Sequence, residues 1–262
     1  MSGSRIKAIL WQEFYITRRN LSAIMDLFFF SVMATVVMGF ITIFISKTIN
    51  STAASYLFLG TIFWEIIRIN QYSISLGALW NVWSRNLSNM FVTPLSIAEY
   101  FTAEILSAII KSILVFLLIS FMALFLFRFN IFKLGPVILI FSFINLAIFA
   151  WTVGITILGF IFSYGERIAS LAWSLVFLFQ PLTAAFFPVK ILPPFLQQIA
   201  YLFPPTYVFE VARSNLDGIS TDNNFMLIAF LLNIFYFILS LLIFNYLFKK
   251  SKNNGQFVRN EG

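Results

Sequence analysis

The sequence predicts an all-α integral membrane protein with six transmembrane helices, on the basis of its composition and its long apolar runs. Of its 262 residues, 60% are hydrophobic and only 10% are charged. A soluble globular domain carries roughly 25% charged residues, so this chain has too few charged residues for a protein that faces water on all sides. The uncharged run 27–46 is already long enough to cross the roughly 30 Å hydrocarbon core of a bilayer.

The residue types that the chain lacks exclude several kinds of chemistry. The absence of histidine excludes a Ser-His nucleophile and an HExxH metal site, and the absence of cysteine excludes disulfides. The 10 acidic residues are scattered along the sequence, and neither a phosphate loop nor a G-x-S-x-G motif occurs. We therefore expect no catalytic residues, no bound cofactor and no metal in this chain.

Residues 1–20 are predicted to form an amphipathic helix that lies in the membrane interface. Basic residues surround apolar ones at helical spacing here: Arg5, Lys7, Arg18 and Arg19 around Ile6, Leu10 and Phe14. A signal peptide is the alternative, but no short apolar core precedes a cleavage site. Asp26, at the start of the first span, is expected to face Arg18 or Arg19, or to cap the helix.

Polar turns divide the rest of the chain into six predicted spans. Their ranges are 21–46, 56–82, 96–127, 134–162, 166–187 and 225–248. Two capping boxes are predicted to open helices, Ser96 with Glu99 at the third span and Ser163 with Glu166 at the fifth.

Several polar residues fall inside predicted spans, and four of them are candidates for a functional path. Glu65 and Arg68 are three residues apart and share a helix face, Gln71 extends that face by one turn, and Glu104 lies in the third span. Intramembrane charges are costly and usually face a bundle interior or a water-filled path, so these residues are candidates to line a path. The alternative is a structural couple in which Glu65 and Arg68 neutralise each other.

The stretch 83–100 is a polar island between two apolar spans. Trp83, Leu87 and Phe91 share one helical face, while polar residues occupy the other. Pro94 ends this short helix. The polar face is suited to meet a partner, although an ordinary surface loop is equally compatible with the spacing.

The segment 188–224 is rich in proline and is predicted to form short interfacial or re-entrant helices. Glu210 and Arg213 lie one turn apart in it, Gly218 is expected to stop a helix, and Asp222 is expected to cap the last span. The N-terminal segment and the tail carry four Lys and Arg residues each, and the loops after spans two and four carry one each, which makes ten against five on the opposite side. This bias predicts that both termini lie in the cytoplasm, with 83–94 on the cytoplasmic side and 188–224 outside. The net charge of +7 is therefore explained by the distribution of Lys and Arg that sets the topology, and no nucleic-acid partner is expected.

Several of these features together resemble the ABC-2 type permease family. They are a basic interfacial helix with TRRN, six spans, a segment that ends in TPLS, and the stretch LPPFLQQIAYLFPPTYVFEVARSNLDG before the last span. The family pattern in that last stretch matches Pro205, Tyr207, Glu210, Arg213 and Gly218. The N-terminal part departs from the family's O-antigen exporters because it lacks their strongly basic lead-in, so polysaccharide is not singled out as substrate.

The resemblance implies a permease subunit of the cytoplasmic membrane that forms a dimer, with itself or with a paralogous permease, and joins a cytoplasmic ATP-binding subunit. ATP and Mg²⁺ would be bound by that ATPase. The substrate implied is amphipathic, lipid-linked or of polysaccharide type, and it would be exported. The segment 83–94 would be the coupling helix, with contacts to the ATPase made by Trp83, Arg85, Asn86, Ser88, Asn89 and Phe91.

Two other function classes are compatible with a membrane chain. An ion- or proton-coupled carrier would use Glu65, Arg68 and Glu104 along its path. An intramembrane enzyme is disfavoured because these residue types do not assemble a pair of activated groups.

Overall fold

The computed structural model describes residues 1–84, 86, 90, 92–168, 170–219 and 224–254, apart from the side chains of Ala78, Val82 and Glu166. This part of the chain is helical and contains no strand. The first helix, α1, runs over Gly3–Arg19 and confirms the helix predicted for residues 1–20. Its exposed side includes Trp11, Phe14 and Tyr15. Asn20, in an extended conformation, separates α1 from the next helix and caps it by accepting hydrogen bonds from two backbone amides.

Five helical stretches among the described residues are long and apolar enough to cross a membrane. They are Leu21–Thr48, Ser51–Asn81, Ile97–Phe127, Ile131–Tyr164 and Asn224–Asn253. We call the corresponding helices α2 (Leu21–Thr48, with a π-helical turn at Met25–Phe29), α3 (Ser51–Trp83), α4 (Ile97–Phe127), α5 (Gly135–Tyr164) and α9 (Asn224–Asn253). The chain is therefore a multi-pass membrane protein, and its described residues have the predicted all-α fold class.

The fifth predicted span, 166–187, differs from the prediction. A 3-10 turn at Gly165–Ile168 precedes helix α6, which covers only Leu171–Leu182. Twelve residues of α-helix extend about 18 Å, which is shorter than the hydrocarbon core of roughly 30 Å. Pro181 lies inside the last turn of α6 and removes a backbone donor there. The apolar run is thus long enough for a span, but its backbone is divided into shorter pieces.

The first predicted capping box is confirmed and the second is wrong. Ser96 accepts a hydrogen bond from the amide of Glu99, whose carboxylate in turn accepts from the amide of Ser96. Ser163, by contrast, is buried within the last turns of α5, and that helix continues until Gly165, whose φ is 65°. Because Ser163 is still helical there, it cannot act as an N-cap, and α6 begins only at Leu171.

Helix α3 is the central element of the bundle, and its middle is surrounded by α2, α4, α5 and α6. Close approach of α5 depends on Gly154, where an added Cβ would lie 3.1 Å from Cβ of Ile74. One buried polar pair joins these two helices, since the indole of Trp151 donates to the side chain of Asn70 at 2.9 Å. Large apolar side chains remain exposed on α2, α4 and α9, as expected for helices that contact lipid.

Two short helices follow α6, as predicted for the proline-rich segment. They are α7 (Pro194–Ala200) and α8 (Pro204–Leu216), each with proline in its first turn. Gly218, with φ of 73°, follows the end of α8 and confirms the predicted stop. The predicted N-cap Asp222 lies outside the described residues.

Candidate functional site

The predicted coupling residues are only partly described. Arg85, Ser88, Asn89 and Phe91 lie outside the described residues. Trp83, at the end of α3, is 39% exposed. Its ring stacks on that of Trp173 with centroids 6.1 Å apart.

The beginning of the segment is fixed to the last turns of α3. The amide of Asn86 donates to the carbonyl of Asn81 at 2.9 Å, and the two side chains are joined at 3.4 Å. Asn81 also accepts a hydrogen bond from the side chain of Gln12 in α1 at 2.9 Å. Helix α1 is therefore attached to the point where α3 ends and the segment begins.

The end of the segment is fixed to the same helix α1. The guanidinium of Arg5 donates to the carbonyl of Pro94 and to Oε2 of Glu99, the latter at 3.3 Å. The amide of Ser2 donates to Oε1 of Glu99 at 2.6 Å. Helix α1 is thus bonded directly to the far end of residues 84–94, and to the near end through Asn81, which bonds to Asn86. In this sense α1 forms a bracket across the segment.

A buried ion pair adds a third connection between α1 and the spans. Nζ of Lys111 in α4 lies 2.9 Å from Oε2 of Glu13 in α1. Sequence reasoning did not pair these residues, which are 98 positions apart. The only available signal was that Glu13 is the single acid in a basic helix.

Glu65 and Arg68 form the pair that their spacing predicts. Nη2 of Arg68 lies 2.7 Å from Oε2 of Glu65, and both side chains are almost fully buried. Ser31 of α2 completes the site, since its hydroxyl donates to Glu65 at 2.6 Å and accepts from Arg68 at 2.6 Å. Every hydrogen bond of this cluster is internal to α2 and α3, which is how a buried ion pair is stabilised.

The pair lies at the wall of a cavity of about 690 Å³ between α2, α3 and α6. The rest of the wall is mainly apolar and aromatic, with Phe30, Trp64, Tyr72, Trp173, Phe177 and Phe186 among its side chains. Asp26 also lines the cavity, and its carbonyl accepts a hydrogen bond from Arg68 at 3.1 Å. Its predicted pairing with Arg18 or Arg19 is wrong, because the ion pairs among the described residues do not include Asp26. Asp26 also caps no helix, because it lies inside the π-helical turn at Met25–Phe29.

Gln71 and Glu104 do not join this cluster. The amide of Gln71 donates to the hydroxyl of Ser75 at 2.7 Å and to the carbonyl of Ala172 at 3.1 Å, so Gln71 holds the first turn of α6 against α3. Glu104 is fully buried between α3 and α4, where a Cβ on Gly77 would lie 3.0 Å from its Oε2. Neither residue is among those that line the cavity.

The motif residues of α8 hold the turn that follows α6. Nη1 of Arg213 donates to the carbonyls of Ala184 and Ala185 at 3.0 and 3.3 Å, and Nη2 donates to Glu210 at 2.8 Å. Glu210 also accepts from the amide of Val189 at 3.1 Å. Burial lowers the pKa of Arg213, and the adjacent carboxylate of Glu210 opposes that shift.

The other motif residues support the same turn. Pro205 is buried in the first turn of α8, and the hydroxyl of Tyr207 donates to the carbonyl of Tyr201 at 2.9 Å. The hydroxyl of Tyr56, near the start of α3, donates to the carboxylate of Asp217 at the end of α8. The segment is therefore a folded cap that is attached to one end of α3.

The family of the chain follows from comparison with known proteins. The model of the ABC-2 type transporter family matches residues 4–216, which extend from α1 to the end of α8. No curated protein shows a significant match to the chain. Because the matched range is most of the 262 residues, the chain belongs to the ABC-2 type transporter family and is a membrane permease of an ABC transporter.

Proposed function

We propose that the chain is the transmembrane subunit through which a separate cytoplasmic ATPase drives the export of an amphipathic substrate, lipid-linked or of polysaccharide type. The observation that carries this proposal is the bracket formed by α1 across residues 84–94. Arg5 bonds to Pro94 at the far end of this segment, and Gln12 bonds to Asn81, the partner of Asn86 at the near end. A force applied to the segment would therefore reach α1, α3 and α4 together. The sequence contains no phosphate loop, so ATP hydrolysis requires a partner.

A six-span topology with both termini in the cytoplasm belongs to the same proposal. The start of α6 lies beside Gln71, and its following turn contacts α3 at Gly60, where an added Cβ would overlap the carbonyl of Ala185. These positions on α3 are 11 residues apart, which corresponds to about 17 Å of helix. Helix α6 thus runs antiparallel to α3 over one half of a bilayer, and the 3-10 turn at Gly165–Ile168 would begin the other half.

The cavity beside α2 supports the substrate class. An apolar, aromatic wall accepts acyl chains or the faces of rings, while the polar edge of the cavity contains Asp26, Arg68 and Gln180. A second copy of the chain is proposed to complete the path as a homodimer, since the family works with paired permeases. The proposed site is in the cytoplasmic membrane.

An ion- or proton-coupled carrier has less support. Glu65 is saturated by hydrogen bonds from Arg68 and Ser31, and Glu104 lies away from the cavity. A carrier needs a carboxylate that the ion can reach and leave. The geometry favours the structural couple for Glu65 and Arg68.

Reconstitution with the ATPase that co-purifies with the chain tests the proposal. We expect transport of a fluorescent lipid analogue only with ATP, and no ATP hydrolysis by the chain alone. Charge reversal at Arg85 is expected to abolish transport and the stimulation of the ATPase, while the matched reversal Lys190→Glu, in the cap, leaves both intact. Transport that persists on a proton gradient after ATP depletion would contradict the proposal.

A further inference from the structure

A groove with several polar side chains lies between α1 and the last turns of α3. This α1–α3 groove has a volume of about 740 Å³. Its walls include Gln12, Tyr15, Arg19, Trp80, Asn81 and Asn86. It is separate from the cavity beside α2, and it shares Gln12, Asn81 and Asn86 with the near end of the bracket.

The charge of the groove comes from one arginine. The guanidinium of Arg19 lies over the ring of Tyr15, 5.6 Å from its centroid, and this cation–π contact favours its position beside the groove. None of the described residues that line the groove is acidic, and the ion pairs found among the described residues do not include Arg19. The groove therefore presents a positive charge whose counterion is not supplied by that part of the chain.

Amide donors lie beside this charge. The side-chain nitrogens of Gln12 and Asn86 each donate one hydrogen bond to Oδ1 of Asn81, at 2.9 and 3.4 Å. Each of these nitrogens carries a second hydrogen. A guanidinium with neighbouring amide donors is suited to the oxygens of a phosphate diester, which arginine binds with two parallel hydrogen bonds.

The position of α1 indicates where that phosphate comes from. Trp11 and Phe14 are about half exposed on α1, and with Tyr15 they form a contiguous aromatic cluster. Aromatic side chains of this kind lie at the level of lipid headgroups. Arg19, on the same helix and in contact with Tyr15, is thereby held at the level of the lipid phosphates.

We propose that the α1–α3 groove binds the phosphodiester headgroup of an anionic membrane phospholipid, with Arg19 as its charged contact. The bound headgroup would join α1 to α3 next to Asn86, where the bracketed segment begins. The proposal does not depend on the ATPase or on the transported substrate, since it concerns only the lipid around the chain.

Thermal unfolding of the full chain in neutral detergent tests this site. Phosphatidylglycerol is expected to raise the melting temperature by several degrees, and phosphatidylcholine or inorganic phosphate at the same concentration is expected to have little effect. Arg19→Gln should lose most of the rise, while Arg18→Gln, which removes the same charge from an exposed neighbour outside the groove, should keep it. An equal loss of this rise in the two variants would show that the lipid is attracted diffusely to the basic helix, and it would contradict the proposed site.

A measurement on the unmodified chain covers the case in which Arg19→Gln fails to fold. Native mass spectrometry after extraction from vesicles with equal amounts of the two lipids should show retained phosphatidylglycerol, at several-fold excess over phosphatidylcholine. Equal retention of the two lipids, or a rise in melting temperature with inorganic phosphate that matches the rise with phosphatidylglycerol, would overturn the proposal.

Discussion

The guanidinium of Arg5 donates a hydrogen bond to the carbonyl of Pro94, so the N-terminal helix is bonded to the residue that ends the segment before α4. The same guanidinium contacts Glu99, the residue that caps α4. An exposed arginine in the first turns of α1 thus contacts the far end of the segment. This contact attaches α1 to the segment, which its amphipathic sequence alone does not indicate.

Replacement of Arg5 by glutamine is expected to weaken coupling more than stability. Because Arg5 is 44% exposed and Glu99 keeps its hydrogen bonds from the amides of Ser2 and Ser96, loss of the ion pair should change the free energy of unfolding little. Loss of the bond to Pro94 should nevertheless reduce the stimulation of the ATPase by several-fold. The matched variant is Lys7→Gln, which removes a charge from the same helix at an exposed position. Equal ATPase stimulation in the two variants would contradict a role for the bracket.

The parts of this structure that depend on local spacing could be predicted, and the parts that depend on distant contacts could not. The capping box at Ser96 and the pairing of Glu65 with Arg68 each need residues only three positions apart. The bond from Gln12 to Asn81 joins residues 69 positions apart, and no local pattern indicates it. The division of the fifth apolar run was missed for a similar reason, because hydropathy measures the length of a run and not where its backbone turns.

The contact between α3 and the turn after α6 depends on Gly60. An added Cβ there would overlap the carbonyl oxygen of Ala185. Backbone atoms cannot move aside as a flexible side chain can, so Gly60→Ala should destabilise the protein by about 1–3 kcal/mol. The same change at Gly3, where nothing lies within 4 Å, is the control and should cost little. Unchanged thermal unfolding of Gly60→Ala in detergent would show that the turn after α6 does not pack against α3 there.

Lysine is not expected to preserve the stability that Arg213 gives to the turn after α6. Its guanidinium bonds at once to Glu210 and to the carbonyls of Ala184 and Ala185, which a single ammonium group cannot reproduce. Hydrogen bonds to a charged group contribute about 1.5–3 kcal/mol, so Arg213→Lys should lower the melting temperature clearly. Arg128→Lys changes an exposed arginine in the same way and should have little effect. An equal melting temperature in both variants would contradict the role of Arg213 in stabilising this turn.

The pair Glu65 and Arg68 allows a test that separates a structural role from a transport role. Loss of one partner leaves a buried charge unpaired, so Glu65→Gln or Arg68→Met should each destabilise the protein by about 3–5 kcal/mol. A double variant, Glu65→Met with Arg68→Met, leaves no buried charge and should recover part of that loss. If the pair is structural, the folded double variant keeps ATP-driven transport. Loss of transport in a double variant whose thermal unfolding is near that of the unmodified chain would instead place the pair on the path.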